Sequence, residues 1–411
     1  MRASMRRHAT GPGPALAPAL SGRRAFARGY LGPARARRDL AGDHGLSWAL
    51  RTAALPWLVA RVIVGGALAV AHELVTRTRP PASVAARVHQ GLLGWDAGWY
   101  ETIARHGYAG AGHSSLRFFP LVPLLTRALS YVPGIGVGTA LVVVANVSAF
   151  VGVVLLVLLA RRETGDSALA RRAAWLMCLA PPAFTQVMGY AEGTFVALGV
   201  GTMLALRARA WWWAAALGLA AAATRPLGVL LVLPAAFEGL RGLREAPPGR
   251  AGARIAAVAG PALGFCAFLG WVGWRYGDVL APLKVQQQGA HRGTVADPLR
   301  TLAHDASLLV HGQHIGSALH LPWVVLALAL LAVALVRWPA SYSAYAAAVL
   351  VVALTTSNLD GFERYALSAF PLVLAGAGVT SAPRLERTVL SVAAAGLALY
   401  ALLAFTNLYV P

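Results

Sequence analysis

The sequence predicts an all-α, polytopic membrane protein, and three observations carry that prediction. Of 411 residues, 57% are hydrophobic and only 13% charged, with a mean hydropathy of +0.60, whereas a soluble domain carries about 25% charge. Apolar stretches of helix length recur from Leu55 to the C-terminus, too often to be separate soluble cores. The basic residues border these stretches instead of gathering on a polar domain, so the formal net charge of +20 reads as membrane orientation and no nucleic-acid partner is expected. Cys178 and Cys266 both fall inside apolar segments, which leaves neither a disulfide framework nor a cysteine metal site.

Residues 1–50 are rich in Ala, Gly, Pro and Arg and lack the apolar core of a signal peptide. They read as a disordered, Arg-rich cytoplasmic tail; an organelle transit peptide is the rival, but the prolines and glycines break any amphipathic helix. Residues 51–411 form one transmembrane domain. Apolar spans are expected near 55–75, 137–160, 173–188, 190–206, 255–274, 321–336, 341–357, 365–380 and 388–408. A single span over 211–240 would bury Arg225 near mid-bilayer, at about 2.5–3.5 kcal/mol on the insertion scale. Two short helices meeting at Thr224-Arg225-Pro226 avoid this, giving about eleven spans.

With that choice the short basic loops fall on one side: Arg161, Arg162, Arg171 and Arg172, then Arg207 and Arg209, then 241–254, then Arg337, then Arg384 and Arg387. The positive-inside rule makes that side cytoplasmic, together with the N-terminus. The Trp211-Trp212-Trp213 run reads as an aromatic anchor there. The first outer loop, about 76–136, also holds six arginines, but long loops are largely exempt from the rule. A topology chosen from arginines then gathers other polar groups at the outer face. These are Asp96 and Glu101 in the first loop, Glu192 at a tight turn and Arg225 at a hairpin tip. Lys284, His291, His304, His311 and His314 lie in a second outer loop, about 275–320, and Asp360, Glu363 and Arg364 in a short turn.

Within the first loop, WDAGWYETIARHGY (residues 95–108) sets Trp95, Trp99 and Ile103 at i, i+4, i+8 beside Tyr100 and Tyr108, a stripe suited to an amphipathic helix flat in the headgroup region. Asp96 opens it, either as a helix N-cap or as a carboxylate held beside a lipid-borne substrate as general base. SSLRFFPLVPLL (114–125) follows, where Phe118, Phe119, Pro120 and Pro123 re-enter an apolar environment directly after Arg117. That cation suits a lipid phosphate, or snorkels to a headgroup.

These motifs, Trp-Asp-x-Gly-Trp-Tyr-x-x-Ile-Ala-x-x-Gly-Tyr and then Phe-Phe-Pro-Leu-x-Pro-Leu, resemble the bacterial branch of the PIG-V type mannosyltransferases, relatives of GPI mannosyltransferase 2 in the GT-C superfamily. Tyr190-Ala191-Glu192 with Phe195, Ala223-Thr224-Arg225-Pro226, and Arg364-Tyr365 with Pro371 resemble further family elements in the same order. The similarity spans about residues 52–410. It implies a GT-C-like bundle in the plasma membrane that moves mannose, or another hexose, from a polyprenyl-phosphate donor to an acceptor hydroxyl on the extracytoplasmic face, with inversion. Asp96 matches the family's base. Arg225 and Arg364, then Arg117, are expected to bind the donor phosphate. Glu192 is expected to bind the acceptor or to pair with Arg225 or Arg364, with Trp95, Trp99, Tyr100 and Tyr190 as substrate-binding neighbours. Asp360 and Glu363 are expected to pair with Arg364. The partners implied are membrane lipids, the polyprenyl-phosphate sugar and a glycolipid, glycan or protein acceptor.

His304, His311 and His314 could align on a helix as divalent-ion ligands, but Asp305 is the one acidic residue at ligand spacing, so they read as solvated loop histidines and no metal is expected. Neither a Walker-type phosphate loop nor a dinucleotide fingerprint is present, which argues against an ATP-driven pump and against a cytosolic sugar nucleotide as donor. The competing class is a secondary transporter or lipid-linked sugar flippase, which would need discontinuous helices and ionisable groups near the bilayer midplane. A non-enzymatic scaffold would leave Asp96 without a role.

Overall fold

The computed structural model describes residues 45–288, 292–311 and 320–411. Most of the predicted tail, together with His291 and His314, lies outside these described residues. The described chain is helical throughout, and its one β-type pairing is the isolated bridge between Val295 and Thr356.

Helix α1 (Leu46–Thr78) shows why this is a membrane fold. It buries Ala49, Ala53, Pro56, Ala60, Val64, Ala67 and Ala71 and turns Leu55, Leu58 and Val62 outward. Small residues at the helix contact and large apolar ones outside is the arrangement of a helix packed in lipid. α10 (Pro248–Tyr276) is built likewise over its first half, with Ala253, Ala257, Gly260 and Gly264 inside, α5 (Val137–Thr164) also buries large residues such as Leu156 and Leu159, and α17 (Pro383–Phe405) packs on α1. These four are the described helices long and apolar enough to cross a membrane. Shorter helices occupy the remaining apolar segments: α6 (Ser167–Leu179), α7 (Glu192–Arg207), α8 (Trp211–Ala222), α9 (Val232–Gly239), α13 (Leu321–Arg337), α14 (Ala340–Leu354), α15 (Phe362–Ser368) and α16 (Phe370–Val379). The chain is a multi-pass membrane protein.

Two of the expected spans are broken, both by proline. α6 stops at Ala180 because Pro181-Pro182 opens a 3-10 helix, Pro181–Gln186. The segment 365–380 divides at Ala369, before Pro371, into α15 and α16. The 211–240 hairpin has the expected form: α8 ends, Arg225 is extended (φ −151°, ψ 150°), and a 3-10 helix, Pro226–Leu231, leads into α9. α10 can lie directly on α8 because Gly260 and Gly264 face it; a Cβ at either would stand 2.4 Å from the Ala215 carbonyl oxygen or 2.1 Å from that of Leu219.

Between α1 and α5 lie α2 (Ala82–Gln90), α3 (Asp96–Ala111, interrupted at Gly107, φ +71°) and α4 (Leu121–Ser130). Between α10 and α13 lie α11 (Ala281–Gln286) and α12 (Pro298–Val310). The expected stripe has the right period but a different environment. Ile103 and Tyr100 are buried, and Trp99 stacks on Phe118 at 5.9 Å. The stripe faces the protein because the Phe118-Phe119 segment folds back over it, with the Tyr108 hydroxyl donating to the Phe118 carbonyl at 2.7 Å.

Candidate active site

Three hydrogen bonds from backbone amides, two to carbonyls and one to a side-chain hydroxyl, and one strained residue bring separate turns together. The Gly189 amide donates to the Leu92 carbonyl at 2.9 Å, joining the turn before α7 to the segment before α3. The Leu121 amide donates to the Ala223 carbonyl at 3.0 Å, joining the start of α4 to the Thr224-Arg225 turn. The Asp96 amide donates to the Tyr190 hydroxyl at 3.3 Å. Trp95 adopts φ +58°, a conformation that costs an L-residue of order 1–3 kcal/mol. It is held by its indole N–H to the Ala404 carbonyl at 3.0 Å and by the Arg87 guanidinium, 4.0 Å over the ring. This residue redirects the chain so that α3 begins with Asp96 aimed inward.

The carboxylate of Asp96 is not a helix cap. Trp95 stands at the cap position, and Asp96 Oδ2 accepts from Arg364 Nη1 at 3.0 Å while Arg117 Nη2 lies 3.6 Å from Oδ1. The same Arg364 nitrogen donates to Glu192 Oε1 at 3.2 Å, and Arg225 Nη1 donates to that oxygen at 2.7 Å. Asp96, Arg117, Glu192, Arg225 and Arg364, drawn from four separate stretches of sequence, therefore form one connected network. Burial pushes the Asp96 carboxyl upward, but the guanidiniums of Arg364 and Arg117 outweigh it and hold the group below the ordinary carboxylate value.

The network faces a cavity of about 600 Å³ lined by Trp95, Asp96, Tyr100, Arg117, Arg225 and Arg364, with an apolar wall of Phe119, Leu227, Leu230, Phe265 and Val352. Of the expected site residues, Glu192, Tyr190 and Trp99 do not line it. Glu192 stands behind Arg225 and Arg364 as their shared partner. Tyr190 is fully buried, beneath Asp96 and with Arg364 5.4 Å over its ring. Trp99 is turned onto Phe118.

Asp360 and Glu363 do not pair with Arg364. His320 takes both: its Nδ1 lies 2.7 Å from Glu363 Oε2 and its Nε2 3.4 Å from Asp360 Oδ1. Glu101 pairs with Arg105 at 2.6 Å and Lys284 with Asp278 at 2.8 Å, so neither reaches the network. His304 and His311 are exposed, and the described residues contain no group of three metal-ligating side chains.

Two cavity residues escaped the sequence reading. Arg292 is buried (7% exposed) and gives its hydrogens to neutral oxygens: the carbonyls of Asp360 at 3.1 Å and Ala353 at 2.7 Å, and Thr356 Oγ1 at 3.1 Å. Tyr365 lies between cations, with Arg292 4.2 Å and Arg225 5.2 Å from its ring centre. The Arg364-Tyr365 pair in the sequence was a signal for Tyr365; nothing local marks Arg292.

Residues 68–239 match a family model described as Mannosyltransferase (PIG-V). No curated protein matches the chain. Among solved structures, that of ArnT from Cupriavidus metallidurans bound to undecaprenyl phosphate superposes with a TM-score of 0.50 at 15% identity, covering 88% of this chain and 76% of that one; it has a GT-C fold. Family and fold together support a membrane glycosyltransferase. Over residues 68–239, which hold Asp96, Arg117, Glu192 and Arg225, this chain matches the PIG-V mannosyltransferases, and its helices are arranged as in a GT-C protein.

Proposed function

We propose that the protein transfers mannose, or a related hexose, from a polyprenyl-phosphate donor to an acceptor hydroxyl at the extracytoplasmic surface. The carrying observation is the single cavity in which a carboxylate, four guanidiniums (Arg117, Arg225, Arg292 and Arg364) and an apolar wall meet. The guanidiniums supply charge for a phosphate, and the wall suits an isoprenoid chain. ArnT, with which the fold is shared, is bound to undecaprenyl phosphate, which supports the same class of lipid here.

In this reading the acceptor oxygen attacks the anomeric carbon while the bond from that carbon to the phosphate oxygen breaks, inverting the configuration. The acceptor proton passes to Asp96, and the guanidiniums stabilise the charge gained by the departing lipid phosphate. Asp96 held below its ordinary pKa by two arginines is a weak base. A bound phosphodiester draws Arg117 and Arg364 toward itself, relieves that pairing and returns basicity to Asp96. The acceptor is a glycolipid, glycan or protein hydroxyl.

The test is transfer of labelled mannose from polyprenyl-phosphate-mannose to membrane acceptors by the purified protein in lipid nanodiscs. The expected result is a glycosidic product. Movement of intact lipid across a vesicle with no product would replace this reading by the flippase.

A further inference from the structure

We propose that His320 is a positioning residue of this site: its imidazole ties Asp360 to Glu363 and thereby sets the Arg292 and Arg364 guanidiniums in the cavity. The proposal rests on the transferase reading above. His320 is 1% exposed and Glu363 fully buried. Glu363 directly precedes Arg364, and its Oε1 is buried without a partner, so the 2.7 Å contact of Oε2 with His320 Nδ1 is what orients this carboxylate. Asp360 has its carboxylate near His320 Nε2 and its backbone carbonyl on Arg292 Nη1 at 3.1 Å. One ring thus governs both ends of the turn, and through them two of the four cavity arginines.

A neutral imidazole has one N–H and cannot donate to both carboxylates; the imidazolium can. Glu363 faces the ring from α15 and Asp360 from the turn before it, with Asn358 Nδ2 on Asp360 Oδ2 at 2.9 Å and Arg292 beyond. Asp305 faces it from α12 and Tyr409, 5.6 Å away, from the segment after α17, while the Tyr400 hydroxyl of α17 is engaged by Trp323. Burial lowers the imidazole, but the carboxylates of Glu363 and Asp360 outweigh it and raise it to about 9. The clamp is closed at neutral pH and loses one of its two bonds as the pH rises through that value.

The experiment compares wild type, His320→Ala and Glu363→Gln in nanodiscs, measuring undecaprenyl-phosphate affinity and the pH profile of transfer. For His320→Ala, undecaprenyl-phosphate affinity and donor kcat/KM are expected to fall, each by about tenfold or more, as cavity cations shift by a fraction of an ångström. In Glu363→Gln the amide can donate to Nδ1 while neutral His320 donates from Nε2 to Asp360. Activity at neutral pH is therefore expected to persist and the fall near pH 9 to vanish. Unchanged lipid affinity in a folded His320→Ala protein, or an alkaline fall that Glu363→Gln leaves in place, overturns the proposal. If His320→Ala does not fold, the Glu363→Gln profile decides alone. If wild type makes no product but binds undecaprenyl phosphate, the transferase reading fails and the affinity comparison still tests the role of His320.

Discussion

Replacing Asp96 by Asn separates chemistry from architecture, because the two losses differ in size. As general base the carboxylate is expected to contribute about 10²–10⁴-fold to turnover, which is about 2.7–5.4 kcal/mol of barrier at 1.36 kcal/mol per decade. Its structural contribution is smaller. Asn keeps an oxygen to accept from Arg364, now 3.0 Å from Asp96 Oδ2, and Arg364 retains the Glu192 carboxylate at 3.2 Å, so only Arg117, 3.6 Å from Asp96 Oδ1, loses the charge of its acidic partner. What is lost is the charge assistance of two partly exposed pairs, with Arg364 and with Arg117, on the order of 1 kcal/mol each. Undecaprenyl-phosphate affinity is expected to hold or rise, since a carboxylate that competes with phosphate for Arg117 and Arg364 has gone. The assay is single-turnover transfer of labelled mannose together with lipid binding and thermal unfolding of the same preparation. Turnover within about threefold of wild type would sink the assignment, and so would a collapse of folding that accounts for the lost activity.

Glu192→Ala should be worse for the fold than Asp96→Asn. It removes the carboxylate that Arg225 and Arg364 share inside the protein, and stranding buried charge costs about 3–5 kcal/mol, read as a lowered midpoint in thermal unfolding. Gly264→Leu places a side chain against the Leu219 carbonyl and should separate α8 from α10; a normally folded, active variant would show that the close approach is not needed. The acid limb of kcat, which reports the donor complex, should lie at higher pH than that of kcat/KM, which reports the free site where arginines depress Asp96; coincident limbs would contradict release of Asp96 by the donor phosphate. The same depressed value makes the charge of Asp96 stabilising above about pH 4 and less so as the pH falls through its folded pKa. The difference in thermal stability between wild type and Asp96→Asn should therefore shrink on acidification.

Hydropathy made the helices legible because apolar residues cover them on both the packed and the outer faces, as α1 does with Ala53 inside and Leu55 outside. The site was legible in part, since Asp96, Arg225 and Arg364 each sit at a break between apolar stretches, where a charge is tolerable. What sequence could not give was pairing. Asp360, Glu363 and Arg364 are neighbours in the chain, yet the first two turn to His320, 43 residues before Glu363, and the third to Asp96, 268 residues away. Arg292 lies in a polar loop without periodicity, and only the fold brings it to Thr356 and Tyr365. Trp99 was read with the correct period but the wrong surroundings, because periodicity tells which residues share a face and not what covers it.

The imbalance of charge in the cavity argues for a ligand more directly than any one residue does. Arg225 and Arg364 share Glu192, and Arg364 and Arg117 share Asp96, while Asp360 is engaged by His320. Arg292 has only neutral oxygens in hydrogen-bond contact. A fold under selection for stability alone has no reason to bury a fourth guanidinium beside three others, given the several kcal/mol that desolvating each ion costs. An anionic group inside the cavity would offset that cost, and the apolar wall beside it favours an anion that carries hydrocarbon. In the proposed reading a phosphate attached to a long hydrocarbon would satisfy both surfaces at once and would bring the bond to be broken within reach of the one carboxylate, Asp96, that is both in the network and open to the cavity.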